Sequence, residues 1–401
     1  MTLRAAFARD LAVRYGTPLL VIDLHVLDAA LDEILTACDS AGIGASYAAK
    51  ALMLTALARR LTARDIGIDV CSFGELLTVE RAGVAAHCIT FHGAGKTDDE
   101  LEAALRGRVG RIVIDNLEEL DRLLRRSNGR ALDVLLRLNT GIEAHTHDFI
   151  RTAGDDSKFG LAPDQETAAL TMLRSAPHLR LRGVHAHIGS QIYDSAPFVA
   201  NAELLGAALG RAREAGFPAD TIVVGGGFGV QMHPETPNEA LDIRATIAAI
   251  GACVPSGARA EIEPGRAIIA AAGTSLYRVV AVKRYARRTF VIVDGSMADN
   301  PRPALYGAYH HVTCVRASSA ELQPMTVCGR SCENDELAQA TLPSDLVAGD
   351  ILAVATTGAY TYSMASNYNR FARPAIVAVN RHASSLWARR ESCEDVLRND
   401  V

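Results

Sequence analysis

Apolar and polar positions alternate along this chain with two different periods. From about residue 44 to residue 263, short apolar runs alternate with stretches in which apolar positions recur every three or four residues. The runs are GASYAAKA, GIDVCS, HCITFHG, RIVIDN, LDVLLRLN, LRGVHAHI, TIVVGGG and ARAEIEPG. Stretches such as FGELLTVERAG, DDELEAALRGR and LEELDRLLRRS separate them, and an amphipathic helix is expected from about Leu52 to Arg64. Eight strand–helix units predict a parallel sheet closed into a (β/α)8 TIM barrel, with an open doubly wound sheet as the alternative.

Past Ala270 the texture changes. LYRVVAVKRY, TFVIVDG, HVTCVRA, MTVCG and ILAVATT are short, β-branched and bounded by turns, with no amphipathic helix of any length before the C-terminus. This predicts a second, all-β domain of sandwich or barrel-like type. The N-terminal run TPLLVIDL precedes the first barrel strand and is expected to pair into that domain. The expected division is 25–270 for the barrel and 1–24 plus 271–401 for the β domain, crossing near Gly273–Thr274.

Composition narrows the class. Of the 401 residues, 49% are apolar and 22% charged, as in ordinary globular proteins, and the net charge of -5 without a basic block argues against nucleic acid as a partner. No apolar run approaches the roughly 20 residues of a membrane span. The first residues mix acids and bases, unlike a secretion signal. Eight cysteines without a CxxC pair argue against a zinc site or a disulfide framework and for a reducing cytoplasm.

The unusual residues fall where barrels place chemistry, at strand C-termini and in the loops that follow. Lys50 ends the first run. There, partly desolvated, it would turn nucleophilic toward an aldehyde and hold pyridoxal phosphate; the alternative is a surface lysine. His187 and Ser190 follow the sixth run, Gly225, Gly226, Gly227 and Gly229 the seventh, and Glu263, Gly265 and Arg266 the eighth. Glycines between strand and helix expose N–H groups to an anion, or else make a tight turn. Glu263 is placed to keep a pyridine nitrogen protonated, or to pair with Arg266. His187 is placed to lie on a ring, or to fill the core. His145 and His147, two apart in a long polar loop, lack a third metal ligand, and that loop (140–163) reads better as a lid.

These stretches resemble the fold-type III pyridoxal-phosphate decarboxylases. YAAKA, DVCSFGEL, AHTHDFIRTAGDDSKFG, HAHIGSQI, GGGFG, EPGR, RPALYGAYH, CEND and GAYTYSMASNYN occur in family order over nearly the whole chain. The resemblance implies an alanine-racemase-like barrel with a β domain, and pyridoxal 5'-phosphate as cofactor. It implies Lys50 as the Schiff-base lysine and His187 as the stacking residue. Ser190, Gly227, Glu263, Gly265, Arg266 and Tyr360 become cofactor contacts. Arg266, Arg302, Tyr306, Glu333 and Tyr360 become substrate contacts. Cys332 becomes a proton donor that, with Glu333, serves the partner's site in a homodimer; its alternative is a buried structural thiol. The implied activity is decarboxylation of meso-2,6-diaminopimelate to L-lysine. The same chemistry on D-lysine, D-ornithine, a citryl-diamine or a carrier-bound glutamyl group is the alternative. A racemase would want a basic partner where Glu263 stands, and a catalytically dead relative would not keep Lys50 and Cys332. Leu52, Phe73, Thr140 and Asn334 depart from the family pattern and bear on the substrate rather than the reaction.

Overall fold

The computed structural model describes residues 4–142, 157–232 and 241–401. The chain divides into two compact units. One comprises Asp32–Gly229 and Ala240–Gly265; the other comprises Met1–Leu31, Val230–Glu239 and Arg266–Val401.

After β1 (Leu19–Asp23), which belongs to the second unit, eight strands close a parallel barrel. They are β2 (Gly44–Ala48), β3 (Gly67–Val70), β4 (Ile89–Phe91), β5 (Arg111–Ile114), β6 (Leu132–Arg137), β7 (Leu179–His185), β8 (Thr221–Val223) and β9 (Arg259–Ile262). Closure is direct: Gly44 of β2 stands opposite Glu261 of β9. The first strand is shorter than its apolar run. Ala48 donates its N–H to the carbonyl of Pro264 at 3.3 Å, and Pro264 has no N–H with which to continue the ladder. The backbone then makes a single 3-10 turn, Ala49–Ala51, before a helix that spans Thr55–Thr62 rather than the longer stretch expected.

The barrel's helices begin with side-chain caps at the mouth. Ser72 accepts from the N–H of Glu75, Asn116 from Glu119, and Thr97 forms a reciprocal capping box with Glu100. The interior is apolar where strands face helices, with Ile68, Ile112, Leu136 and Ile222 fully buried. Each such side chain contributes about 1.5–3 kcal/mol. Along the axis it turns polar: Arg111 donates to Glu261 at 2.9 Å, and Ser46 donates to Asp69 at 2.8 Å.

The second unit is built on nine strands among the described residues. Besides β1 these are β10 (Gly273–Arg284), β11 (Thr289–Val293), β12 (Val312–Cys314), β13 (Leu322–Cys328), β14 (Glu336–Pro343), β15 (Ile351–Ala355), β16 (Ala375–Asn380) and β17 (Ala383–Ala388). The main path runs β14-β13-β11-β10-β1-β16-β17, with β15 pairing β10 and β12. β1 is antiparallel to β10 and parallel to β16. Helix Ala5–Tyr15 lays Ala8 and Leu11 on this sheet against Leu19, Leu276 and Val377. Gly273 and Thr274 lie inside β10, opposite Ile22 and Val21. A short helix, Arg302–Tyr306, interrupts the strands; at five residues it is too brief to leave a periodic signal. It stops at Gly307, whose φ of 58° is left-handed. Among the described residues no helix is long and apolar enough to cross a membrane. His145, His147 and most of the expected lid lie outside the described residues.

Candidate active site

A cavity of about 280 Å3 opens at the C-terminal mouth of the barrel, lined by Lys50, Asp69, His92, Arg137, His187 and Glu263 among others. Lys50 projects into it from the 3-10 turn and is exposed, so the expected partial desolvation of this lysine is not found. His187 lies two residues beyond β7, where its Nδ1 accepts the N–H of Gly226 at 3.2 Å. Burial keeps this imidazole well below its ordinary pKa, and the Lys50 and Arg137 cations reinforce the shift.

Glu263 is buried beside β9. Its Oε2 accepts from His185 Nε2 at 3.1 Å, and His92 Nε2 stands 3.3 Å from Oε1. Burial opposes its charge. The His185 and His92 imidazoles nonetheless hold the carboxyl well below its usual range. Asp69 lies 3.6 Å from the same His92 nitrogen, and burial followed by the charge of Glu263 pushes its pKa well up. The loop carrying His92 is pinned by buried Lys96, which donates to the Gly93 carbonyl at 2.7 Å, the Val113 carbonyl at 2.6 Å and Glu119 at 2.9 Å. His92, His185 and Glu263 also offer possible metal-ligand atoms within 4.8 Å of one another.

The glycine run packs backbone on backbone. A Cβ on Gly226 would lie 2.1 Å from the Glu263 carbonyl oxygen, and one on Gly227 would lie 2.2 Å from that of Gly189. Gly227 has a φ of +106°, which only glycine adopts at little cost. Gly265 sits against Ala48, its notional Cβ 3.1 Å from that side chain, and Ser190 is half-buried in the loop after β7.

In the second unit, four of the expected residues gather. The Arg266 guanidinium lies 4.7 Å from the centre of the Tyr360 ring. That of Arg302 lies 5.6 Å from the same ring and 5.3 Å from Tyr306. Arg302 is buried, forms no ion pair among the described residues, and is pushed down to about 10 by burial and by the charge of Arg266. Such a cation asks for a carboxylate or a phosphate. Cys332 and Glu333 stand exposed on the loop after β13, so Cys332 is not the buried thiol of the alternative reading. The Cys332 N–H donates to Asn369 Oδ1 at 3.2 Å, and Tyr368 donates its hydroxyl to Glu333.

Asp69, His92, Arg137 and His185 were missed by sequence reasoning. Each stands in, or just beyond, the last two residues of a barrel strand. That position was the signal available, but their types alone suggest satisfied core polar groups. Of the family departures, Leu52 is buried and accepts from Tyr47 at 2.9 Å, and Thr140 donates to Asn201 at 3.1 Å. Phe73 stacks under Arg108 at 4.9 Å. None of these three lines the barrel cavity.

Residues 29–270 match the pyridoxal-binding domain of the pyridoxal-dependent decarboxylases. The chain belongs to that family. It is 40% identical over 411 residues to the diaminopimelate decarboxylase of Bacillus subtilis, covering 98% of this chain and 93% of that one. To the diaminopimelate decarboxylase of Mycobacterium tuberculosis H37Rv it is 39% identical over 418 residues, covering 98% and 93%. The crystal structure of Helicobacter pylori diaminopimelate decarboxylase complexed with L-lysine superposes with a TM-score of 0.90 at 30% identity, covering 97% and 98%. The Vibrio vulnificus lysine/ornithine decarboxylase complexed with cadaverine gives 0.82 at 25% identity, covering 94% and 96%.

Pyridoxal-dependent decarboxylases are carboxy-lyases that work with pyridoxal phosphate, and the barrel mouth fits that cofactor. Glu263 Oε1 is buried without a hydrogen-bond partner, as an acceptor awaiting a ring N–H would be.

Proposed function

We propose that this decarboxylase removes CO2 from meso-2,6-diaminopimelate at its D-centre and releases L-lysine. The observation that carries the proposal is similarity over 98% of the chain to diaminopimelate decarboxylases. Buried Arg302, beside Tyr306 and Tyr360, supports it as a receptor for the substrate's second carboxylate.

Bound pyridoxal phosphate supplies the electron sink into which the carbon–carboxylate bond breaks. Lys50 would hold the cofactor covalently, and His187 would pack against its ring. Glu263 would keep the ring nitrogen protonated. Ser190, Gly227, Gly265, Arg266 and Tyr360 would hold its phosphate through N–H, hydroxyl and guanidinium donors. Arg266, Arg302, Tyr306 and Tyr360 would orient the substrate's carboxylates, and Glu333 its remote ammonium. Cys332 would return a proton to the carbon that has lost CO2. The proposal includes a homodimer in which Cys332 and Glu333 complete the partner's site; both are exposed in this chain, as that role requires. It also places the enzyme in the cytoplasm, to which its eight free cysteines are suited.

The test is CO2 release from meso-diaminopimelate, D-lysine, D-ornithine and L-ornithine at equal concentration. The expected result is kcat/KM at least about a hundredfold higher on meso-diaminopimelate, the worth of one buried charge-assisted contact. A preference for any monocarboxylate substrate would overturn the assignment.

A further inference from the structure

A carboxylate can keep a pyridine nitrogen protonated only while it stays ionised itself. Burial of Glu263 works against that. Among the described residues of the barrel unit, no lysine or arginine comes within ion-pair distance of it; the groups that do are two imidazoles. They arrive from different places, His185 at the end of β7 and His92 just beyond β4. Their rings meet edge to face with centres 5.1 Å apart.

We propose that His92 and His185 are positioning residues for Glu263: His185 donates its Nε2–H to Oε2, and His92, its ring set edge to face on that of His185, stands beside Oε1 and leaves it open to the cofactor, so that Glu263 stays ionised and aimed at the ring. The inference rests on the reading that Glu263 faces the cofactor's ring nitrogen.

The chemistry favours imidazoles here over a stronger cation. Burial lowers both histidines, His92 to about 4, so both are neutral at physiological pH. A neutral N–H donor stabilises a carboxylate without cancelling its charge, whereas an arginine in the same place would satisfy the charge and leave nothing to hold the ring proton. The tautomer follows from burial. His185 Nδ1 is buried with no partner, so a proton there would be an orphaned donor; on Nε2 it meets Glu263.

A second acid completes the cluster. Asp69, tied to Ser46 at 2.8 Å and facing His92 at 3.6 Å, is pushed well up by burial and by the charge of Glu263, so it resists adding a second negative charge beside that of Glu263. The other charged groups acting on the cluster are cations: Arg111 on β5, Arg137 on β6 and Lys96 beyond β4. They favour that single charge. The two other titratable neighbours are His187, held neutral by burial, and Glu261, already paired with Arg111.

The decisive measurement is infrared spectroscopy of the full-length protein stripped of cofactor, with carbon-13-labelled glutamate. In wild type at neutral pH, no protonated-carboxyl band should disappear on Glu263→Gln. In the His92→Leu/His185→Leu variant, such a band should appear and should vanish when Glu263→Gln is added. In His92→Gln/His185→Gln, whose amides still donate, Glu263 should stay ionised. With cofactor bound, the leucine pair should lower kcat roughly ten- to a hundredfold with KM within about twofold, and the glutamine pair should recover most of that loss. If the double leucine variant fails to fold, His185→Leu alone carries the same readout. An ionised Glu263 in the leucine variants would overturn the inference, as would equal losses in the leucine and glutamine pairs. So would turnover lost on chelation and restored by a divalent metal, which would make the cluster a metal site. The infrared result stands whichever amino acid the enzyme accepts, so failure of the functional reading and of this inference are separable.

Discussion

The Arg266 guanidinium lies 4.7 Å from the centre of the Tyr360 ring. Tyr360 adopts a left-handed φ of 57°, a backbone state costing a bulky residue about 1–3 kcal/mol, so its ring is held near two arginines against a local preference. Arg302 approaches the same ring at 5.6 Å. Like charges gathered around one aromatic ring, with Arg302 lacking an acid partner among the described residues, suit a receptor that an anion completes.

Arg302→Met should therefore raise KM for the dicarboxylate substrate roughly ten- to a hundredfold, the loss of a charged contact of about 1.5–3 kcal/mol. Cofactor content, read by absorbance, should stay near wild type. Arg302→Lys should not restore KM, because an ammonium cannot make the paired contact of a guanidinium. An unchanged KM in Arg302→Met would remove Arg302 from the substrate site.

Lys50 and Cys332 lie in different units of the chain, and the proposed dimer makes a sharp statement about them. Lys50→Ala should lose covalent cofactor retention, with borohydride-treated wild type labelled on the Lys50 peptide and on no other lysine. It should also lose at least about a thousandfold in kcat, some 4 kcal/mol. Cys332→Ala should be impaired at proton return. Mixing the two variants under subunit exchange should restore about a quarter of wild-type activity, since half the dimers are mixed and each holds one intact site. No recovery, with exchange verified by native mass spectrometry, means that each site is built within one chain.

Gly226→Ala places a methyl 2.1 Å from the Glu263 carbonyl oxygen, a backbone atom that cannot step aside. The variant should lose about 2–4 kcal/mol in denaturant unfolding and bind cofactor weakly. Gly210 is the control. It lies inside helix Ala196–Glu214 with nothing within 4 Å of a notional Cβ, so Gly210→Ala should gain about 0.5–1 kcal/mol. Equal effects at the two positions would contradict the close packing of the glycine loop.

Asp299 gives the second unit a pH dependence. Burial raises its pKa from the ordinary 3.8 to about 7, with Asp335 and Asp294 adding to the shift against the hydrogen bonds from Tyr277 and the Ser296 N–H. The folded state thus binds its proton more tightly than the unfolded chain does. Stability is greatest below about pH 4 as far as this group is concerned, and falls as pH rises from there through 7. The slope is bounded by about 1.4 kcal/mol per pH unit, the limit for one proton. Asp299→Asn should flatten the midpoint-against-pH curve over that range, and an unaltered slope would assign the dependence elsewhere.

Much of the barrel was legible in the chain. A buried parallel strand needs an unbroken apolar run and the helix behind it needs a period near 3.6, so eight such alternations predicted the closed sheet before any contact was known. Lys50, His187, Glu263 and the glycine run were legible because chemistry collects at strand C-termini, where their residue types are conspicuous. The strand end at Ala48 was not, because it depends on Pro264, more than two hundred residues away, failing to extend the neighbouring ladder. Nor was the company of Glu263. His92, Asp69 and His185 sit on strands that meet only when the barrel closes, and a carboxylate's charge is set by what lies within a few ångströms in space. The gathering of Arg266, Arg302, Tyr306 and Tyr360 is of the same kind. Periodicity is a property of neighbours along the chain, so sequence determined the elements and their order; burial and field are properties of neighbours across it, so only the folded chain decided which acids and imidazoles share a cluster and which arginine is buried without an ion pair among the described residues.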